Sequence, residues 1–352
     1  MGKDKLTGYE LERYSRQIAL QNFSANAQEQ LAEAKIAIVG VGGLGANSAM
    51  QLAAMGVGNF RLIDRDVVEL SNLPRAPLYY SIDVEKSKAE AAGHRLRKLN
   101  PEVEVEIHAT ELDSNNVKKL LEGVDVVVDG LDRFAPRMLI NTTCKDLGLP
   151  FVFAGVVGTA ANLSTFTYGD GPCLSCIFGE VDDTELPTCE TVGVHTSAVV
   201  IAASIQASET IRLLTGLPPV LNEELLYIDL ESLAFDRIRI VRRDDCIVCG
   251  KPLKRQPVEQ QRVVELCGKD SYIVPSPGNI QIDIDGAKES LEQRFVISTA
   301  GDFALTFQRD NVRISLMAGG NALIKGLKTP EEAKALYDEV LRLIKQYIKE
   351  QG

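Results

Sequence analysis

The chain has 352 residues, 45% of them hydrophobic and 25% charged, an ordinary globular balance with length for a large α/β domain and a smaller one. Its net charge of -11 excludes general affinity for nucleic acid or an anionic membrane, partners that recruit clustered Lys and Arg. No run reaches the roughly 18 consecutive apolar residues of a membrane helix, and the polar start MGKDKLTGYELERYSRQ lacks an apolar signal region, so a soluble cytoplasmic protein is expected.

Residues 8–34 carry helical periodicity through Leu11, Tyr14 and Ile18 and lead into a short apolar strand, Lys35 to Val39. Gly40, Gly42 and Gly45 then follow in the order GxGxxG. The first glycine permits a tight turn, the second lets backbone approach phosphate, and the third lets a helix pack closely on the strand. Phosphate would face that helix's N-terminus. Asn59 to Ile63 is a second strand, and Asp64 stands at the spacing of about 20 residues expected of an acid that bonds ribose hydroxyls. A glycine turn and one acid serve NAD, FAD and ATP alike, so a nicotinamide-dependent oxidoreductase is open at this point.

Further along, helices are expected over 84–99, 114–122 and 134–147, with strands at Val103 to Ile107 and Val124 to Asp129. The alternation implies a doubly wound, mostly parallel α/β sheet of the Rossmann type. The pattern changes after Phe151, with a strand from Asn162 to Tyr168, a loop rich in Gly, Pro, Asp and Thr to about Gly193, a helix from Thr196 to Leu214 and a strand from Leu225 to Leu230. KPLKRQPVEQQ, beginning at Lys251, reads as a linker. Residues 262–274 look strand-like and 283–296 helical. Phe303 to Phe307 and Val312 to Leu316 form a hairpin through Asp310 and Asn311, and Ala322 to Ile324 another strand. Thr329, Pro330 and Glu332 open a helix that runs to Tyr347. Two domains are expected, 1–252 and a small α+β module over 257–352.

The residues around the glycine turn narrow the chemistry. Asp66, the run Ser71-Asn72-Leu73-Pro74-Arg75, Lys86 and Lys88 follow it, Arg13 and Arg16 precede it, and Asp129 and Asp132 end a buried strand. Any one Arg or Lys here reads equally as a solvated surface charge. The set suits an enzyme that breaks a triphosphate, because cations neutralise charge on leaving pyrophosphate and a carboxylate at the strands' C-terminal edge can hold Mg²⁺. Seven cysteines, an odd number, point to metal or thiol chemistry more than to disulfides. Four fall in CxxC pairs, Cys173 with Cys176 and Cys246 with Cys249. The separation between pairs leaves open either a Cys₄ zinc site or a set of reduced buried thiols.

RYSRQIAL, IVGVGGLG, LIDRDVVELSNLPR, the Lys88 helix, LDRFAPRMLIN, CLSC, PTCETVGV and CIVC occur in an order that resembles the ubiquitin-activating enzyme superfamily. That group includes the adenylyltransferases of molybdopterin and thiamine biosynthesis and the activating enzymes of ubiquitin-like modifiers. The resemblance covers residues 9–250. It implies adenylation, with ATP and Mg²⁺, of the C-terminal glycine of a ubiquitin-like or sulfur-carrier protein ending in Gly-Gly. Carried onto this sequence, it implies that Gly42 and Gly43 border the phosphates, Asp64 holds the ribose, Asn72, Arg75 and Lys88 grip the triphosphate, and Asp132 binds Mg²⁺. Arg16 would reach into a neighbouring subunit's site, which implies a homodimer. Arg133 stands where the family often has Asn. The cysteine pairs would hold structural Zn²⁺.

By the same resemblance Cys189, in a Pro-Thr-Cys-Glu-Thr loop ahead of the Thr196 helix, would take the activated carboxyl as a thioester or serve sulfur transfer. The alternative is an inert loop thiol. Cys144, Cys267, His94 and His108 read as packing or surface residues. His195 and Glu190 oppose one another in their effect on the Cys189 thiol, and neither is assigned a role. The C-terminal module is expected to recruit a protein partner such as a conjugating enzyme, so that removing residues 257–352 leaves adenylation intact.

Overall fold

The computed structural model describes residues 6–179, 181, 183, 191–250, 264–266 (backbone only), 270–278 and 280–350. The periodic N-terminal stretch is three helices, α1 (Gly8–Arg13), α2 (Ser15–Ile18) and α3 (Ala25–Glu33). Thr7 and Glu10 cap α1 reciprocally and Ser24 caps α3, satisfying free backbone N–H groups at those two starts, while α2 begins after Tyr14 without a side-chain cap.

There follow β1 (Lys35–Val39), α4 (Gly43–Ala54), β2 (Asn59–Ile63), α5 (Lys88–Leu99), β3 (Glu104–His108), α6 (Val117–Leu121), β4 (Val126–Asp129), α7 (Phe134–Leu147), β5 (Phe151–Val157), β6 (Ala160–Phe166), α8 (Leu174–Phe178), α9 (Thr196–Leu214), β7 (Glu224–Asp229) and β8 (Ala234–Arg239). The eight strands form one sheet in the order β3-β2-β1-β4-β5-β6-β7-β8. The first five are parallel and the last three antiparallel. The expected doubly wound, mostly parallel sheet is present.

Alternation along the central strands feeds two cores. Ile36 and Ile38 face α3, α4, α5 and α9, while Ala37 and Val39 face α6, α7 and α8. Two strands of this sheet were not expected from the sequence. β5, FVFAGVV, is a continuous apolar run without alternation, and β8, AFDRIR, is a mixed edge strand without a clear apolar face. α5 begins at Lys88 and not at 84, because Ser87 is its N-cap. The 19-residue α9 is long and apolar enough to cross a bilayer, yet Ala202, Ala203, Ala207 and Ile211 are buried in the cores and Gln206 bonds Ser48 of α4.

Beyond residue 263, β9 (Val264–Leu266), β10 (Ser271–Val274), β11 (Ile280–Ile282), α10 (Ile284–Leu291), β12 (Val296–Ala300), β13 (Ala304–Arg309), β14 (Val312–Met317), β15 (Ala322–Lys325), α11 (Pro330–Leu343) and β16 (Ile348–Glu350) complete the chain. β12-β13-β14-β15-β10-β9 is an antiparallel sheet, and β11 pairs with β16. The hairpin at Asp310–Asn311 is as expected, with Asp310 at φ +55°. The segment expected to be helical over 283–296 ends at Leu291 and turns into β12. α11 stops at Leu343, short of Tyr347. This part has its own core, in which Tyr272, Leu305, Phe307, Leu316 and Tyr337 are buried. The linker from Lys251 lies outside the described residues.

Candidate nucleotide site and cysteine cluster

The glycine turn is set by close backbone approach. Gly40 has φ +84°, and a Cβ on it would meet the Gly130 carbonyl at 2.7 Å; one on Gly45 would sit 1.9 Å from the Gly40 carbonyl oxygen. Gly130, at the end of β4, is equally constrained against Gly40. Gly42 is the N-cap of α4, and a Cβ there would meet nothing within 4 Å. The N-terminus of α4, with its unpaired N–H groups and positive dipole end, therefore opens into free space. Gly43 lies beneath Arg75, whose Cγ would be 3.1 Å from an added Cβ.

Asp64, at the end of β2, is buried, and its carboxylate accepts from the Val41 N–H at 2.6 Å and the Asp66 N–H at 2.8 Å. It ties the glycine turn to the adjacent strand. Two of a carboxylate's roughly four acceptor positions are used in this way. Burial and the neighbouring Asp66 raise its pKa, against the pull of Lys88. Lys88, the first residue of α5, donates from Nζ to Asp66 at 3.0 Å. Burial works against its charge, but Asp66 and Asp64 outweigh that and raise its pKa, with Asp132 contributing. Lys88, Asp64, Asp66 and Asp132 thus share one field.

Asn72 closes a 3-10 turn, Leu70–Asn72, where its Oδ1 accepts from the Glu69 N–H at 3.0 Å and the Glu69 carboxylate accepts from the Asn72 N–H. Arg75 donates to the Ser71 carbonyl at 2.7 Å. Asn47 Nδ2 bridges the carbonyls of Gly43 at 2.7 Å and Arg75 at 2.8 Å, fastening this turn to α4. Sequence reasoning missed Asn47; its signal was one amide among the small and apolar residues of GLGANSAM. Tyr79, also missed, donates to the Val41 carbonyl.

Asp132 is exposed in the loop between β4 and α7. That loop hangs on a buried pair, Arg137 Nε to Asp129 at 2.8 Å, with Arg137 also donating to the carbonyls of Leu131 and, at 2.9 Å, Ala154. Burial pushes Asp129 up to about 6 in spite of Arg137. Asp183 accepts from the N–H groups of Phe134 and Ala135 at 2.6 and 2.8 Å, capping α7 from a distance. Thr196, the first residue of α9, donates to the Pro74 carbonyl at 3.2 Å. Cys189 itself lies outside the described residues, as do Glu190 and Cys267. His195 is exposed and caps α9, accepting from the Ser197 N–H at 3.3 Å.

Arg16 does not join this group. It is exposed on α2, whose Gln17 bonds the Met55 carbonyl at 2.7 Å. Met55 caps the far end of α4, and 12 residues at 1.5 Å each separate it from the glycine turn by about 18 Å.

The four paired cysteines converge. Their sulfurs all lie within 4.8 Å of one another, and all four residues are buried. The gaps are 4.0 Å for Cys173–Cys176, 3.6 Å for Cys173–Cys246 and 3.3 Å for Cys176–Cys249. These are too long for disulfides and close to the edge of about 3.8 Å for a tetrahedron with Zn–S bonds of about 2.3 Å. Burial, with Cys176 and Cys246, pushes Cys173 up to about 11. Cys144 is buried in α7, His94 is exposed and His108 pairs with Glu106, as expected of packing and surface residues.

Residues 14–248 match the ThiF family, a span that holds the glycine turn, the Asn72–Lys88 crossover, the Asp132 loop and the paired cysteines up to Cys246. The chain belongs to the ThiF family. It is 32% identical over 335 residues to the Sulfur carrier protein ThiS adenylyltransferase of Bacillus subtilis, covering 92% of this chain and 98% of that one. It is 37% identical over 247 residues to the SAMP-activating enzyme E1 of Haloferax volcanii, covering 70% of this chain and 91% of that one. Among solved structures, Escherichia coli MccB with ATP is similar at a TM-score of 0.61 and 27% identity, over 68% of this chain and 75% of that one. The expected superfamily and its adenylation fold stand with this ThiF membership.

Proposed function

We propose that the chain adenylates the C-terminal glycine of a ubiquitin-like or sulfur-carrier protein ending in Gly-Gly. One observation carries the reading. Arg75 lies over Gly43 at the open N-terminus of α4, and Lys88, bonded to Asp66, shares a field with Asp64 and Asp132, a charge pattern that suits a triphosphate and not a redox dinucleotide. The substrate carboxylate attacks the α-phosphorus of ATP, the bond from that phosphorus to the bridging oxygen breaks, and pyrophosphate leaves behind a mixed anhydride. Gly42 and Gly43 let the phosphates approach backbone, Asp64 keeps acceptor capacity for the ribose, and Asn72, Arg75 and Lys88 bear on the phosphates. Mg²⁺ held at Asp132 would neutralise further phosphate charge.

Two fates of the acyl group follow. In the leading one the Cys189 thiolate attacks the acyl carbon of the mixed anhydride, the acyl–phosphate bond breaks, AMP leaves and a thioester remains. Support comes from the anchors on either side of that cysteine: Asp183 caps α7 beside the Asp132 loop, and Thr196 bonds Pro74 next to Arg75. In the other, sulfide-level sulfur from a separate donor attacks the acyl carbon, AMP leaves and a thiocarboxylate remains. The ThiS adenylyltransferase similarity favours this one, because it spans 92% of the chain, C-terminal module included. The cysteine cluster fits Zn²⁺ in number, burial and spacing, and would tie β7–β8 and the chain after them to α8. The place of Arg16 at the far end of α4 supports action in a second subunit of a homodimer. Exposed Tyr227, Leu233, Phe235 and Ile238 on the β7–β8 hairpin suit a protein partner.

The test is ATP–pyrophosphate exchange with candidate proteins ending in Gly-Gly, run beside non-reducing gels of the wild-type and Cys189→Ala chains. Exchange by both, with a thiol-sensitive adduct only in the wild type, is the expected result. Exchange without any adduct selects the thiocarboxylate reading, and no exchange with any such protein defeats both.

A further inference from the structure

The crossover from β2 to α5, residues 64–88, carries Asp66, Asn72, Arg75 and Lys88, and the C-terminal sheet is packed against this segment. Val67 is buried with Ile273, Ala304, Met317 and Leu323. Lys325 pairs with Glu69, the residue that caps the Asn72 turn. Asn321 Nδ2 donates to the Arg65 carbonyl at 3.0 Å. Glu85 has φ +72°, a backbone conformation uncommon outside glycine. It is held by Arg313 at 2.7 Å and by hydroxyls of Thr299 at 3.0 Å and Thr306 at 3.1 Å, the last on its carbonyl. One turn into α5, the buried Glu90 carboxylate accepts from the N–H groups of Asp302 and Phe303 at 3.2 and 3.3 Å.

We infer that the C-terminal module is an internal clamp on the triphosphate-binding crossover, with Lys325 and Arg313 as positioning residues that act through Glu69 on Asn72 and through Glu85 on the approach to Lys88. The inference rests on the nucleotide-site reading above. Polar contacts at both ends of the crossover and an apolar contact at Val67 add to a segment whose own regular structure is two 3-10 turns and one antiparallel bridge between Val67 and Ser87. The ordering cost of gripping ATP is thereby met before ATP arrives. Loss of the module then weakens adenylation, in contrast to the outcome expected from a detachable recruiting domain.

The experiment uses the full chain with Lys325→Ala and Arg313→Ala combined, and as control Arg309→Ala, which breaks an ion pair with Glu339 inside the module. The clamp predicts an ATP KM raised about fivefold or more in pyrophosphate exchange, an unchanged KM for the carrier protein, and faster amide hydrogen exchange over 65–90. The control should keep the wild-type ATP KM. An unaltered ATP KM and unaltered amide exchange in the double variant overturn the clamp, provided Lys88→Ala impairs the same assay. A Lys88→Ala chain with a normal ATP KM instead defeats the nucleotide-site reading and the clamp with it.

Discussion

Glycines at 40, 45 and 130 show how single residues place the site. Each is there because backbone passes where a Cβ would be, and two of the three stand in a motif visible in sequence. Cys173, Cys176, Cys246 and Cys249 are the other residues whose role depends on convergence. Zinc binding requires deprotonated thiolates, and binding free energy at such a site is folding free energy. Purified protein is expected to hold one zinc per chain by elemental analysis, and Cys173→Ser to lose it with a lower melting temperature. A metal-free wild type that melts at the same temperature with and without added Zn²⁺ would refute the site. The CxxC spacing made the pairs legible, but 69 intervening residues between Cys176 and Cys246 hid their union. Only the docking of the β7–β8 hairpin beside β6 brings the pairs together.

At the scale of elements, β1 to β4 were legible because each is short, carries an apolar or alternating run and is separated from the next by a helix. β5 and β8 were not, one buried on both faces and one at an edge. The opposite edge, β1-β2-β3, carries a ladder of charge in which Lys35, Arg61 and His108 all contact Glu106 at 2.8–3.0 Å. Partial burial opposes the Glu106 charge, but hydrogen bonds from His108, Lys35 and Arg61 bring its pKa down from 4.5 to about 2. A depressed carboxylate stabilises the fold above its unfolded pKa, and that contribution is lost as pH falls through the folded value. Glu106→Gln is therefore expected to cost up to about 1 kcal/mol at pH 7, since the group is partly exposed. The difference from wild type should shrink between pH 4.5 and about 2. Urea titrations at several pH values check this, and a difference that grows on acidification would refute it.

For the whole molecule, the position of Arg16 behind α4 decides between one chain and two. If Arg16 completes a neighbour's site, Arg16→Ala and Asp132→Ala chains are each inactive alone. Mixed and allowed to exchange subunits, they should recover about a quarter of wild-type activity, because half the dimers are mixed and each keeps one intact site. No recovery after proven subunit exchange would mean that Arg16 does not act across subunits. The module beyond residue 263 belongs to this scale too. Its hairpin and its capped final helix could be read from turn and cap residues, but its grip on the crossover could not, since Lys325 and Glu69 lie 256 residues apart.

Neighbouring residues specify the features that are local and repetitive. The glycine turn, the acid after β2, the capped helices and the order of motifs are written in neighbouring residues, because helix and strand periods and backbone sterics act over short range. Which distant groups meet is settled by packing in three dimensions. Asn47 bridging to Arg75, the Asp129–Arg137 pair under Asp132, the four sulfurs and the clamp over Asn72 all join residues from different elements. Their contacts follow from how sheets and helices pack, and single-chain periodicity carries no record of that.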